Sequence, residues 1–185
     1  METTTLAREY ADMARLNFEC DGEVEPILAA HGPDLGIICG LAPSADVPVA
    51  IHKVAAVLAA VLGVETFVTV NETWSTTVTE EEVERILAGE DRDEVIGGRA
   101  RETTLLTVAW RQDPEDCHAV HDTVLTESSR RFRRDEAHGR QPGRFGELMA
   151  LAFTNERRPP VGTTLEQLLG FLGREGLIVF AQVLK

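Results

Sequence analysis

Thr66-Phe67-Val68-Thr69-Val70-Asn71-Glu72-Thr73-Trp74 is the stretch on which the reading of this chain turns. It is rich in β-branched and aromatic residues, which fit a pleated, half-buried surface, and it contains neither Gly nor Pro. Successive side chains of a strand point to opposite faces. Val68, Val70, Glu72 and Trp74 therefore share one face, and Phe67, Thr69, Asn71 and Thr73 share the other. The carboxylate of Glu72 thus falls on an otherwise apolar face, where it needs a partner or a raised pKa.

On the C-terminal side, residues 72–98 carry nine acids against only Arg85 and Arg92. Thr79 and Glu82 form a capping-box pattern that opens a short helix over Glu80–Ala88. With few large apolar residues to bury, residues 76–98 read as a mobile, solvated excursion. Thr103–Trp110 is the next strand, and the turn residues Asp113-Pro114-Glu115-Asp116 lead into a partner strand over Cys117–Thr126. On the N-terminal side, Ile51, Val54, Leu58, Val61 and Leu62 follow helical spacing between a capping Asp46 and Gly63, which predicts a buried helix. Val24–Ala30 and Leu35–Leu41 flank His31-Gly32-Pro33-Asp34 and read as a hairpin, with Pro26 pushing its first strand towards a sheet edge. Leu6, Tyr10, Met13 and Asn17 mark an amphipathic helix over residues 4–18.

Beyond residue 126 the chain turns basic and loop-like. Arg130, Arg131, Arg133, Arg134, Arg140 and Arg144 lie among Gly139, Pro142 and Gly143. A short helix over Phe145–Phe153, a capped helix from Thr164 to Arg174 and an apolar strand over Leu177–Leu184 complete the pattern. The expected fold is one α+β domain over residues 1–185, with residues 127–185 as a C-terminal extension packed on it. It has a largely antiparallel sheet, an N-terminal helix, one buried central helix and C-terminal helices on one side or at the sheet ends. The order resembles roadblock-like and profilin-like sheets, an architectural analogy that carries no function.

Composition narrows the function classes. The net charge is −13, with 18 basic residues of which only Lys53 and Lys185 are lysines. That balance repels phosphate backbones and anionic lipid surfaces, and argues for solubility. The arginine-for-lysine skew fits a bacterial or phage gene. Three cysteines without a CxxC pair indicate neither a disulfide framework nor a structural zinc site, and fit a reducing cytoplasm. No signal-like N-terminus and no spanning segment is visible, so a cytoplasmic location is expected.

Two short motifs carry a resemblance. Asp21-Gly22-Glu23-Val24-Glu25-Pro26 follows the first helix. Val70-Asn71-Glu72-Thr73-Trp74 is followed, after the acidic loop, by Arg101-Glu102-Thr103-Thr104-Leu105-Leu106. Over roughly residues 5–126 the chain resembles a large bacterial family of small α+β proteins without an assigned activity. In that family the strand end usually reads Ser-Glu-Ala-Trp; Glu72 and Trp74 match it, and Asn71 and Thr73 depart. The resemblance implies the element order and no chemistry.

The candidate chemical residues are few. Cys117-His118-Ala119-Val120-His121 gathers three metal-binding residue types, but alternation sends His118 away from Cys117 and His121, and a fourth ligand would have to come from Cys39 or His31. No metal and no cofactor is therefore expected. Cys117 beside two histidines could be a nucleophile only as a thiolate, and no protease or transferase motif surrounds it. Glu72, Trp74 and His121 are the candidate ligand-binding residues, against a structural reading in which Glu72 pairs with Arg101. Trp74 and Trp110 read as core or sheet-end packing residues. Arg130, Arg131, Arg133 and Arg134 are the candidate contacts for a partner or an anion. The leading expectation is a small non-enzymatic protein acting through protein contacts or self-association. The alternatives are a small-molecule-binding protein or enzyme at Glu72, Trp74 and His121, and a phage-borne acidic protein acting on a host complex.

Overall fold

The computed structural model describes residues 2–42, 46–76, 78–99, 102–126, 131–141, 143–154 and 162–184, with the backbone alone for residues 60, 61, 92, 93, 126 and 143. The elements are α1 (Thr3–Asp21), β1 (Ile27–His31), β2 (Gly36–Leu41), α2 (Val47–Leu62), β3 (Thr66–Ser75), α3 (Glu80–Leu87) and α4 (Arg92–Ile96). They continue with β4 (Glu102–Arg111), β5 (His118–Thr126), β6 (Arg131–His138), α5 (Gly143–Thr154), α6 (Leu165–Arg174) and β7 (Ile178–Leu184). The strands form one seven-stranded sheet in the order β6-β5-β4-β3-β1-β2-β7. Every pairing is antiparallel. The fold is thus α+β, as the sequence predicts.

Alternation along β3 organises two cores. Phe67 joins Leu28, Ile37, Leu58, Val108 and Trp110 on the face covered by α2 and α5. Val68 and Val70 join Leu6, Tyr10, Phe18, Leu105 and Val120 under α1. Each fully buried Leu, Ile or Phe contributes about 1.5–3 kcal/mol of transfer free energy. Helices therefore cover both faces, not one side or the sheet ends. An alternating strand such as β3, apolar at Phe67 and at Val68 alike, has two faces to bury. α1 settles on its face through Ala7, Ala11 and Ala14, which let it approach closely, and its buried stripe ends on Phe18 where Asn17 was expected. Gly22, at φ 81°, ends that helix by donating its N–H to the Phe18 carbonyl. Only a residue tolerant of left-handed backbone serves there. α2 begins as predicted, with the Asp46 side chain accepting from the Val49 N–H at 3.2 Å.

Two further expectations are corrected. β1 lies between β3 and β2, away from both edges, because Pro26 precedes the strand and contributes only its carbonyl, which accepts from Leu41 N–H. The arginine-rich stretch is not a loop within 131–138: it is β6, an edge strand paired with β5. An edge strand keeps one flank and much of each face in water, so Arg131-Phe132-Arg133-Arg134-Asp135-Glu136 can be strand without an apolar alternation. The acidic excursion holds the predicted capped helix and also α4, tied by ion pairs of Arg85 with Glu90 and of Arg99 with Glu82.

Candidate functional site

Glu72 and Trp74 lie on the α1 face of β3, whereas His121 pairs with Leu106 and points to the α2/α5 face. The sheet itself separates them, so the structure does not bring the three together. Glu72 Oε2 accepts from the Val24 N–H at 3.2 Å. It thus ties the segment after α1 to the end of β3, a backbone partner for the carboxylate; Arg101, the partner expected from sequence, lies outside the described residues. Trp74 is 66% exposed, contrary to its reading as a packing residue. Trp110 is the tryptophan of the core, 4% exposed, donating from Nε1 to Thr69 Oγ1 at 2.8 Å and packing on Phe145. His121 is half buried, and desolvation lowers its pKa, which favours the neutral ring.

Cys117 is buried, and burial pushes its thiol pKa up, further still beside Asp116, Asp113 and Glu115. That is the reverse of what a thiolate nucleophile needs. His118 faces the opposite way from Cys117, its ring against Glu136 at 3.0 Å. Cys39 sits in β2, with three strands between it and β5, and its thiol is pushed up to about 12. His31 contacts the Tyr10 hydroxyl at 3.2 Å. No group of three or more His, Cys, Asp or Glu side chains converges among the described residues.

Two of the candidate anion contacts, Arg133 and Arg134, are engaged within the fold. Arg134 holds Asp122 bidentately, Nε to Oδ1 at 2.9 Å and Nη2 to Oδ2 at 2.7 Å, and also reaches Asp12 of α1 at 2.8 Å. Asp122 is fully buried. Arg133 pairs with Asp135 and Glu102. Arg131 is exposed, and Arg130 lies outside the described residues. Arg8 of α1 adds a pair with Glu136 at 2.8 Å. The β6 edge is therefore charged and cross-tied to α1, which is how natural sheets keep an edge from pairing with another chain.

The opposite edge is built differently. β7 reads Ile178-Val179-Phe180-Ala181-Gln182-Val183-Leu184 and carries no charge and no proline. One flank pairs with β2; the other meets no strand among the described residues. Val179 is 58%, Phe180 46% and Val183 41% exposed. The Phe180 ring lies across Gly40, where a Cβ would come within 2.0 Å of the ring, so glycine at 40 makes room for the aromatic side chain. The register slips between Gly40 and Leu41, leaving Val179 outside the regular pairing as a bulge. Phe180 to Leu184 then run in regular antiparallel register with Gly40 to Gly36. Alongside, a groove of about 370 Å³ between α2 and α6 is lined by His52, Lys53, Val57, Phe171 and Glu175.

Sequence reading identified the last strand but gave it no role. The signal present was its lack of any charge, set against Arg131, Arg133 and Arg134 in the strand of the other edge; only the strand order shows that both are edges. No protein-family model, no curated protein and no solved structure matches this chain.

Proposed function

We propose that this chain is a non-catalytic protein-contact domain whose β7 edge accepts an extended segment by strand addition. The observation that supports it is the contrast between the two sheet edges. An exposed, uncharged, apolar edge presents a row of N–H and C=O groups with side-chain anchors on both sides, the arrangement that strand addition uses. The ordinary safeguards of an edge, charge and cross-tying, are concentrated on β6. The residues that sequence offered for chemistry favour a contact role too: Glu72 is bonded to backbone, His121 lies across the sheet from it, and Cys117 is held as a thiol.

The test is amide hydrogen exchange at low protein concentration, with and without a synthetic peptide of sequence IVFAQVL flanked by lysines for solubility. Residues 179–184 should gain protection on peptide addition, and Val183→Lys should abolish the gain. Unchanged exchange along β7 at saturating peptide would refute strand addition.

A further inference from the structure

We infer that the segment added to β7 is β7 of a second copy, paired antiparallel about a two-fold axis at Gln182; the inference rests on the strand-addition reading. The pattern of β7 is self-complementary in that register. Beyond the bulge at Val179, the regular run is Phe180-Ala181-Gln182-Val183-Leu184. Pairing about Gln182 sets Phe180 against the partner's Leu184, Ala181 against the partner's Val183, and Gln182 against itself. Large apolar side chains meet on the α1 face, small ones meet on the α2 face, and the one polar side chain finds an identical amide that can both donate and accept. Shifting the axis by one residue to Ala181 would oppose Gln182 to Phe180 and draw the bulged Val179 into the ladder.

A two-fold interface uses the same patch on both subunits, so a self-complementary strand is what it requires. Charge supports this occupant as well. The chain carries −13, and its strand 178–184 is a stretch through which two copies can meet without opposing like charges. The exposed surface of one short strand falls below the roughly 800 Å² per partner of a standard interface, so a reversible dimer is expected, not a permanent one.

Cysteine cross-linking reads the register directly. Directly opposed residues in an antiparallel pair have Cα atoms about 4.5–5.5 Å apart, inside the disulfide range, while a diagonal neighbour lies roughly 7–8 Å away. In a Cys20→Ser background, which removes the exposed thiol, Gln182→Cys should oxidise to a disulfide dimer at least about tenfold faster than Ala181→Cys or Val183→Cys. Light scattering on the unsubstituted chain should show mass rising towards twice the monomer as concentration approaches ~1 mM, the weak end of specific association. Val183→Lys should remain monomeric with an unchanged circular dichroism spectrum. A monomer at every concentration, or equal cross-linking at 181, 182 and 183, would overturn the inference. Should the peptide protect β7 while the chain stays monomeric, the partner is a strand from another protein and strand addition stands; should the peptide fail too, both readings fall.

Discussion

Arg134→Ala is the substitution whose cost the structure specifies most closely. Asp122 is fully buried in β5, and its two oxygens are held by Arg134 at 2.9 and 2.7 Å. The guanidinium is 25% exposed in its side chain, so water and Asp12 can still reach its outer edge. Removing the arginine leaves the carboxylate in the core beneath α1 with no countercharge. Breaking a buried pair from one side costs about 3–5 kcal/mol, because the remaining group keeps its full desolvation penalty. For a chain of 185 residues each kcal/mol lowers Tm by roughly 2–4 °C, so a fall on the order of 6–20 °C is expected. The assay is urea denaturation followed by circular dichroism, with constant slope as the check that the unfolded state is unchanged. The double variant Asp122→Leu/Arg134→Met should recover most of the loss, since an apolar pair removes both the charge and its penalty. Asp12→Ala, which touches only the exposed side of Arg134, should cost under about 1 kcal/mol. A loss below about 1 kcal/mol for Arg134→Ala would show that Asp122 reaches water and that the pair does not tie β6 to the sheet.

Leu58, fully buried against the sheet, should cost about 2–5 kcal/mol on substitution by Ala, and an unchanged denaturation midpoint would remove it from the core. Thiol labelling of the native chain at pH 8 should modify Cys20 rapidly and leave Cys39 and Cys117 protected, since both are buried with raised pKa; three equally fast thiols would contradict the sheet packing. The Glu136 carboxyl is held below its ordinary range by Arg8 first, with a smaller contribution from His118. A depressed carboxylate stabilises above its unfolded pKa, near 4.5, and the gain disappears as pH falls through the folded value; Arg8→Ala should flatten that acid limb of the stability curve, and an identical limb would sink the assignment. Residues 76–98 should exchange amides faster than β3–β5, because α3 buries no residue; slow exchange across Glu80–Gly98 would show that this segment is packed.

Local chemistry made several elements legible from sequence. Thr79 with Glu82, and Thr164 with Gln167, form both capping boxes that the pattern predicts. Asp46 caps α2, and the alternation of β3 separates Phe67 from Val68 in the two cores. These are short-range effects, settled within a few residues by backbone hydrogen bonding and side-chain period, so a single sequence contains them. Periodicity also placed Glu72 on the face of Val68 and Val70, which α1 covers. What it could not show was the N–H of Val24 waiting there, 48 positions earlier in the chain.

Strand order was decided by tertiary structure alone. Whether Pro26 opens a central strand, whether an arginine-rich run is loop or edge, and whether Glu72 and His121 share a cleft all depend on which strands become neighbours. That choice is a competition among non-local pairings, resolved by the burial of whole faces under α1 on one side and α2 and α5 on the other. The same competition leaves β6 and β7 at the two ends of the sheet, one rich in charge and one without any. The uncharged sequence of the last strand was legible from the start; that one of its flanks meets no strand among the described residues follows only from where the other six strands went.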